Sequence, residues 1–282
     1  MMKTGITGAT GQLGQLVVAK LKQKIDPSQI VGLVRNPVKG EGLGIELRPF
    51  DYTQTDTLAK NLEGIDQLLL ISSSEVGQRK AQHENVINAA KTAGVKRIVY
   101  TSLLHADTST ISLAPEHYET EQLLEASGIA YTILRNGWYT ENYNNAIGGA
   151  VQAGALIGCA GEGKISAATR EDYAEAAVAV LTSDGHEGKI YELAGDEPFT
   201  LIDLAAEVSR QTGKEIPYQH LSVADYAEAL KSLGLPDGIA QAIASWDGEA
   251  AKDQLFDNSK TLSKLIGRPT TPLREVVKSA LR

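Results

Sequence analysis

Cysteine is nearly absent: Cys159 is the only one in 282 residues. A single thiol cannot close an intrachain disulfide, so packing must hold the fold, and a reducing compartment, the cytoplasm, is expected. The histidines, at 83, 105, 117, 186 and 220, are too scattered for zinc spacing, and no metal is expected. No run of 18 apolar residues occurs and the first residues lack a signal-type apolar stretch, so neither a membrane span nor export is expected. Excess positive charge is missing too. The net charge of −8 repels phosphate backbones and argues against a nucleic-acid partner. Any anion site must therefore come from local geometry.

What is present is an alternation of β-branched runs and helical patterns. Strands are expected at 3–7, 30–34, 45–50, 67–72, 97–102 and 130–135, with helices at 11–24, 55–62, 79–94 and over "PEHYETEQLLEASG". This order implies right-handed parallel crossovers and an α/β, doubly wound, Rossmann-like sheet. Several strands are apolar at consecutive positions, as when helices cover both faces. Residues 1–135 read as a dinucleotide-binding domain. Residues 136–282 read mainly as a smaller α/β substrate lobe, with some late elements returning to the first domain. Gly and Asn are frequent through 136–163, where regular order is expected to loosen; beyond it a helix at 170–182, a strand at 189–194 and a helix at 201–212 are expected.

The first strand runs into "TGITGATGQLGQLV", with Gly8, Gly11 and Gly14 at G-x-x-G-x-x-G spacing. Backbone amides at the start of the following helix can hold a pyrophosphate, and glycine permits close approach. A tight turn without a ligand is the alternative. NAD sites carry an acid about 20 residues beyond such a loop, where it holds the ribose 2′-hydroxyl. Here Arg35 stands 21 residues past Gly14 and no acid is adjacent. An arginine pairs with a 2′-phosphate through its planar fork, so NADPH is expected over NADH.

A further absence concerns the proton. In "HYETEQLLEASG", residues 117–128, a Lys four places after Tyr118 would complete the Tyr-x-x-x-Lys pair of many nicotinamide-dependent reductases, but position 122 is Gln. A simple ketone gives an alkoxide on reduction and needs a positioned acid. A quinone gives an anion delocalised over its ring, which solvent can protonate later. A cationic dye needs no proton at all.

The stretches "GATGQLG", "VRNP", "LLLISSSEVGQR", "NVINAAKTAGVKRIVYTSLLHAD" and "YTILRNGWYTEN" resemble the NmrA-like atypical short-chain dehydrogenases, and within them the branch of bacterial type 2 NADPH:quinone oxidoreductases. The triphenylmethane dye reductases share the framework with less similarity around 72–79 and 101–107. The resemblance implies NADPH contacts at Gly8, Ala9, Thr10, Gly11, Gln12, Leu13 and Arg35. It also implies contacts at Ser72, Ser73 and Ser74, and across Asn136, Gly137, Trp138, Tyr139, Thr140 and Glu141. "SAATREDYA", residues 166–174, matches a stretch that returns to the site. Ether reductases of the group carry a Lys where His117 stands, which makes an ether or alcohol substrate less fitting.

Asn136, Trp138 and Tyr139 follow the sixth strand directly, where ligands bind in parallel sheets. Asn136 is the candidate donor to a developing oxyanion, and Trp138 or Tyr139 the candidate stacking surface for a planar acceptor, with packing between lobes as the alternative for both rings. The expected activity is hydride transfer from NADPH to a quinone or another planar electrophile. Reduction of a triphenylmethane-type cation and a non-catalytic NADP-binding redox sensor are the alternatives. The oligomeric state, a homodimer included, stays open.

Overall fold

The computed structural model describes residues 2–282. Seven strands form one sheet in the order β3-β2-β1-β4-β5-β6-β8: β1 Thr4–Thr7, β2 Ile30–Val34, β3 Glu46–Pro49, β4 Gln67–Leu70, β5 Arg97–Leu103, β6 Ala130–Asn136 and β8 Lys189–Leu193. The pairings of β1 with β2 and β4, β2 with β3, and β5 with β4 and β6 are parallel. Strand order reverses between β1 and β4, and the carboxyl ends of strands at such a switch point open a crevice for ligands.

The chain divides into two compact units. Among the described residues, the first comprises 2–107, 113–136 and 170–192; the second comprises 108–112, 137–169 and 193–282. In the first unit, helices α1 Gln12–Leu21 and α6 Arg170–Thr182 pack together, with Lys20 paired to Glu171 and Glu175. Helices α2 Thr55–Asn61, α3 Arg79–Ala93 and α4 Ala114–Ser127 pack in succession. Alternate strand residues, Val31, Leu33, Leu68, Leu70, Ile98 and Tyr100, join Leu58, Leu62, Val86 and Leu124 in one core. Their strand neighbours Ile6, Leu69 and Val99 are equally buried, so the sheet is apolar on both faces.

Helix α1 ends three residues before the expected Lys24, because the amides of Gln23 and Lys24 turn back to the carbonyls of Lys20 and Leu21. The segment expected to loosen is ordered. It contains a 3₁₀ turn over Thr140–Tyr143, α5 Asn144–Ala153 and β7 Leu156–Gly158. Low intrinsic propensity is overridden by burial of Ile147 and Ala150 on one helix face. The second unit pairs β7 with β9 Tyr218–His220 in parallel. It also holds α7 Leu201–Thr212, opened by a Thr200/Asp203 capping box, and α8 Val223–Ser232, α9 Asp237–Ala250, α10 Thr261–Ile266 and α11 Leu273–Ala280. Cys159 is packed there with Tyr226 and Ala244, and burial pushes its thiol up to about 12, so it stays protonated. Among the described residues, no helix is long and apolar enough to cross a membrane.

Two buried polar clusters fix the first unit. In one, Arg135 on β6 forms a two-pronged pair with Glu121 on α4 (3.0 and 2.7 Å) and bonds Asp107 (2.8 Å) and Glu192 (2.7 Å). Ser102 also donates to Glu121, at 2.5 Å. Burial alone would lower the pKa of Arg135; Glu121 and Glu192 more than reverse that. In the other, the Tyr100 hydroxyl meets Nδ1 of His117 at 2.8 Å, while the edge of the His83 ring packs against Tyr100. Burial, with help from the charge of Arg79, lowers His83 to about 3 and holds His117 well below its usual value, so both rings are neutral.

Arg135→Met strands the buried Glu121 carboxylate and is expected to cost about 3–5 kcal/mol in urea unfolding, whereas Arg135→Met/Glu121→Leu recovers at least half. The histidines set a pH dependence. The unfolded chain takes up protons below about 6.5 and folded His83 only near 3, so stability is full above 6.5 and falls as pH drops through that window. His83 alone removes about 2 kcal/mol between pH 7 and 5. Asp247, whose carboxyl burial pushes up, works in the opposite direction. Comparison with His83→Asn therefore isolates the histidine: the variant should lose less stability over the same interval.

Candidate active site

The glycine loop owes its shape to two close approaches. Gly8 leaves β1 at φ 59°, a backbone region that side chains strain, and its amide donates to the Leu33 carbonyl at 3.0 Å. The Gly11 amide closes the turn on the Gly8 carbonyl at 2.8 Å. A Cβ at Gly14 would lie 2.2 Å from that same carbonyl oxygen, so only glycine lets α1 pack this tightly on the loop. Ala9 and Leu13 send their side chains into the core and leave only backbone to the loop. Helical bonding begins with the Gln15 amide to the Gly11 carbonyl at 2.9 Å, so the amides of Gln12, Leu13 and Gly14 have no acceptor within the helix. Gly11 brings no capping side chain, and the first turn contains no acid. These features make an anion-binding helix start.

A cavity of about 780 Å³ opens here, at the switch point between β1 and β4. Gly8, Thr10 and Gly11 line one side. Arg35 and Lys39 line the end beyond β2, and Ser72, Ser73 and Ser74 continue from β4. The β4 segment is held firmly. The Ile71 amide donates to Thr7 Oγ1 at 2.9 Å and the Ser72 amide to Thr101 Oγ1 at 3.0 Å. Both backbone groups of Ser73 are bonded by side chains one turn apart on α3: its amide donates to His83 Nε2 at 3.0 Å, and its carbonyl accepts from Arg79 Nε at 2.8 Å. Neutral His83 is suited to this accepting role. A dinucleotide fits the donor set, with uncapped amides suited to a pyrophosphate and two cations, Arg35 and Lys39, at the end beyond β2.

The structure thus gathers Gly8, Thr10, Gly11, Arg35 and Ser72–Ser74 around one cavity. Ala9, Gln12 and Leu13 belong to the same loop through their backbone. Asn136 closes β6, is 4% exposed, and its Oδ1 has no hydrogen-bond partner among the described residues. Gly137, Trp138, Tyr139, Thr140 and Glu141 belong to the second unit. There Trp138 meets Trp246 edge-on with ring centroids 5.7 Å apart, and Tyr139 bridges to Ala168. Sequence reasoning missed Lys39, Asp51 and Glu75 on the cavity wall, because they follow three different strands at no fixed spacing from the glycines. It also missed Trp246, far from Trp138 in the chain.

The arrangement of α4 bears on proton donation. Tyr118 and Gln122 are both exposed, one turn apart, while His117 and Glu121 face inward. His117 is engaged by Tyr100 and neutral. His105 lies in a left-handed turn (φ 53°) with its amide donating to Glu192 at 2.9 Å. Among the described residues, no group of three His, Cys, Asp or Glu is placed to hold a metal ion.

Comparison with known proteins agrees with this geometry. A family model described as NAD(P)H-binding matches residues 8–184. The chain is 60% identical over 275 residues, 96% of each chain, to Quinone oxidoreductase 2 of Escherichia coli (strain K12). The crystal structure of an NADPH-dependent quinone oxidoreductase from Escherichia coli complexed with NADPH superposes with a TM-score of 0.97 at 58% identity, covering 99% of this chain and 100% of that one. The Citrobacter sp. triphenylmethane reductase complexed with NADP(H) gives 0.96 at 39% identity, with 99% and 100% covered. With the model spanning more than half of its length and a relative this similar along nearly all of it, the chain belongs to the NAD(P)H-binding family, in its NmrA-like group of reductases.

Proposed function

We propose that this chain is an NADPH-dependent quinone oxidoreductase working in the cytoplasm. The observation that carries the reading is a dinucleotide cavity in a chain whose α4 has no Tyr–Lys pair and whose buried histidines are neutral. Such a protein suits an acceptor that needs no acid while hydride arrives. Its high similarity to a named quinone oxidoreductase supports the same substrate class. Its similarity to the triphenylmethane reductase favours cationic dyes as a second acceptor class.

When bound, the reduced nicotinamide supplies the hydride. The chain's own work is positioning. Amides of the Gly8–Leu13 loop hold the pyrophosphate, Ser72–Ser74 wall the cofactor, and Arg35 pairs with the 2′-phosphate. Asn136 is assigned to the reacting ring, where its amide N–H donates to the quinone oxygen as charge develops. Trp138 and Tyr139 are assigned to stacking on the planar acceptor. Gly137, Thr140 and Glu141 complete the assigned cofactor segment. The hydroquinone anion takes its proton from solvent.

The direct test is NADPH oxidation, followed by absorbance, with and without a benzoquinone and a triphenylmethane dye. Acceleration by the quinone is expected; NADPH binding without turnover of either acceptor overturns the reading in favour of a sensor. Tyr118→Phe should lower kcat by less than about tenfold, below the usual general-acid contribution of about 10²–10⁴. Asn136→Ala should cost about 2–3 kcal/mol in transition-state stabilisation. A thousandfold loss in a folded, NADPH-binding Tyr118→Phe enzyme would restore a carbonyl substrate. Arg35→Ala should weaken NADPH by about 1.5–3 kcal/mol and leave NADH nearly unchanged, as read by titration calorimetry.

A further inference from the structure

No acid stands beside Arg35 in the sequence, but one does in space. Arg35 Nη1 donates to Glu75 Oε1 at 3.0 Å, across a gap of 40 residues. Both side chains line the cofactor cavity. Glu75 is fixed from behind: its second oxygen accepts from Gln82 Nε2 at 2.7 Å, and its own amide donates to Ser73 Oγ at 3.2 Å. Ser73 in turn is clamped by Arg79 and His83, so the carboxylate is anchored to α3 rather than waving in solvent. The other acid on the wall, Asp51, is held by Thr53, whose amide and hydroxyl donate to its Oδ1 at 3.0 and 2.7 Å, and the charge of Arg35 also acts on it.

We infer that Glu75 is a specificity-determining residue that tempers the preference for NADPH over NADH set by Arg35. The inference rests on the reading of Arg35 as the 2′-phosphate partner. The phosphate and the Glu75 carboxylate are two anions served by one guanidinium. Because Gln82 holds Glu75 in place, the carboxylate remains near the arriving phosphate and repels it. Toward NADH the same carboxylate acts in the opposite sense. A 2′-hydroxyl is a donor, and an ionised acceptor beside it gives a charge-assisted hydrogen bond, the role an acid at the end of β2 fills in NAD-selective sites. Glu75 supplies that acid from the segment after β4. One cavity thus carries a reader for each form of the ribose.

The test is the ratio of the NADH and NADPH dissociation constants, measured at one fixed salt concentration for the intact protein and its Glu75→Gln, Glu75→Asp and Arg35→Ala variants. Glutamine keeps the size and can still accept from Gln82, and the site is half exposed, so the fold is preserved. Glu75→Gln is expected to tighten NADPH by about threefold to tenfold, as removal of one like charge near a phosphate predicts. It should weaken NADH, and the ratio should rise about tenfold. Glu75→Asp retains the charge and should stay nearer the parent protein. An unchanged or lowered ratio in Glu75→Gln overturns the inference, as does an equal rise in Glu75→Asp. Failure of the underlying reading is separately visible: Arg35→Ala would then leave the ratio where it was.

Discussion

The contact between α1 and the loop in front of it is the constraint on which the cavity at the switch point depends. Gly14 sits where any Cβ would collide with the Gly8 carbonyl, and Gly8 itself occupies a left-handed conformation. These two positions bring the start of α1 against the carboxyl end of β1 and leave its first amides uncapped. Against the acidic net charge of the whole chain, a few aligned amides and two local cations, Arg35 and Lys39, make this corner locally suited to an anion. The cavity exists where it does because strand order reverses between β1 and β4.

Around that loop the first unit invests its buried polar groups in rigidity. Arg79 and His83 grip the Ser73 backbone, and Arg135 binds carboxylates from α4, β8 and the turn after β5. Burial keeps both His83 and His117 neutral, which makes them hydrogen-bonding struts rather than acids at physiological pH. On the proposed reading, a reductase built this way suits acceptors whose reduced forms carry delocalised charge or none.

Much of this was legible in the sequence. Period and spacing announced the parallel sheet, because strands covered on both faces must be apolar at consecutive positions and crossovers need helices between them. The glycine triplet announced the loop, because Gly8 takes a left-handed turn and Gly14 leaves no room for a Cβ. Arg35 was legible as a cation after β2, and the structure places it on the cavity wall. Gln122 in place of Lys showed that α4 has no Tyr-x-x-x-Lys pair. Each of these signals is local, carried by residues within one element or one turn. The expected loosening through 136–163 failed for the complementary reason: α5 is stabilised by what its buried face touches, which propensity does not record.

Tertiary structure alone decided the rest, because it brings together residues with no fixed separation along the chain. Glu75 reaches Arg35 from the segment after another strand, so the acid that β2 lacks is present in space. Trp246 meets Trp138 from α9. His83 reads in the sequence as an isolated histidine on a helix; only packing against Tyr100 and bonding to Ser73 make it a neutral strut. The sequence by itself determined the fold class and the glycine loop, since backbone geometry and side-chain period are encoded in short windows. Only the folded chain decided which charges share the cavity and which titratable groups stay neutral, since both depend on distances and desolvation that no window contains.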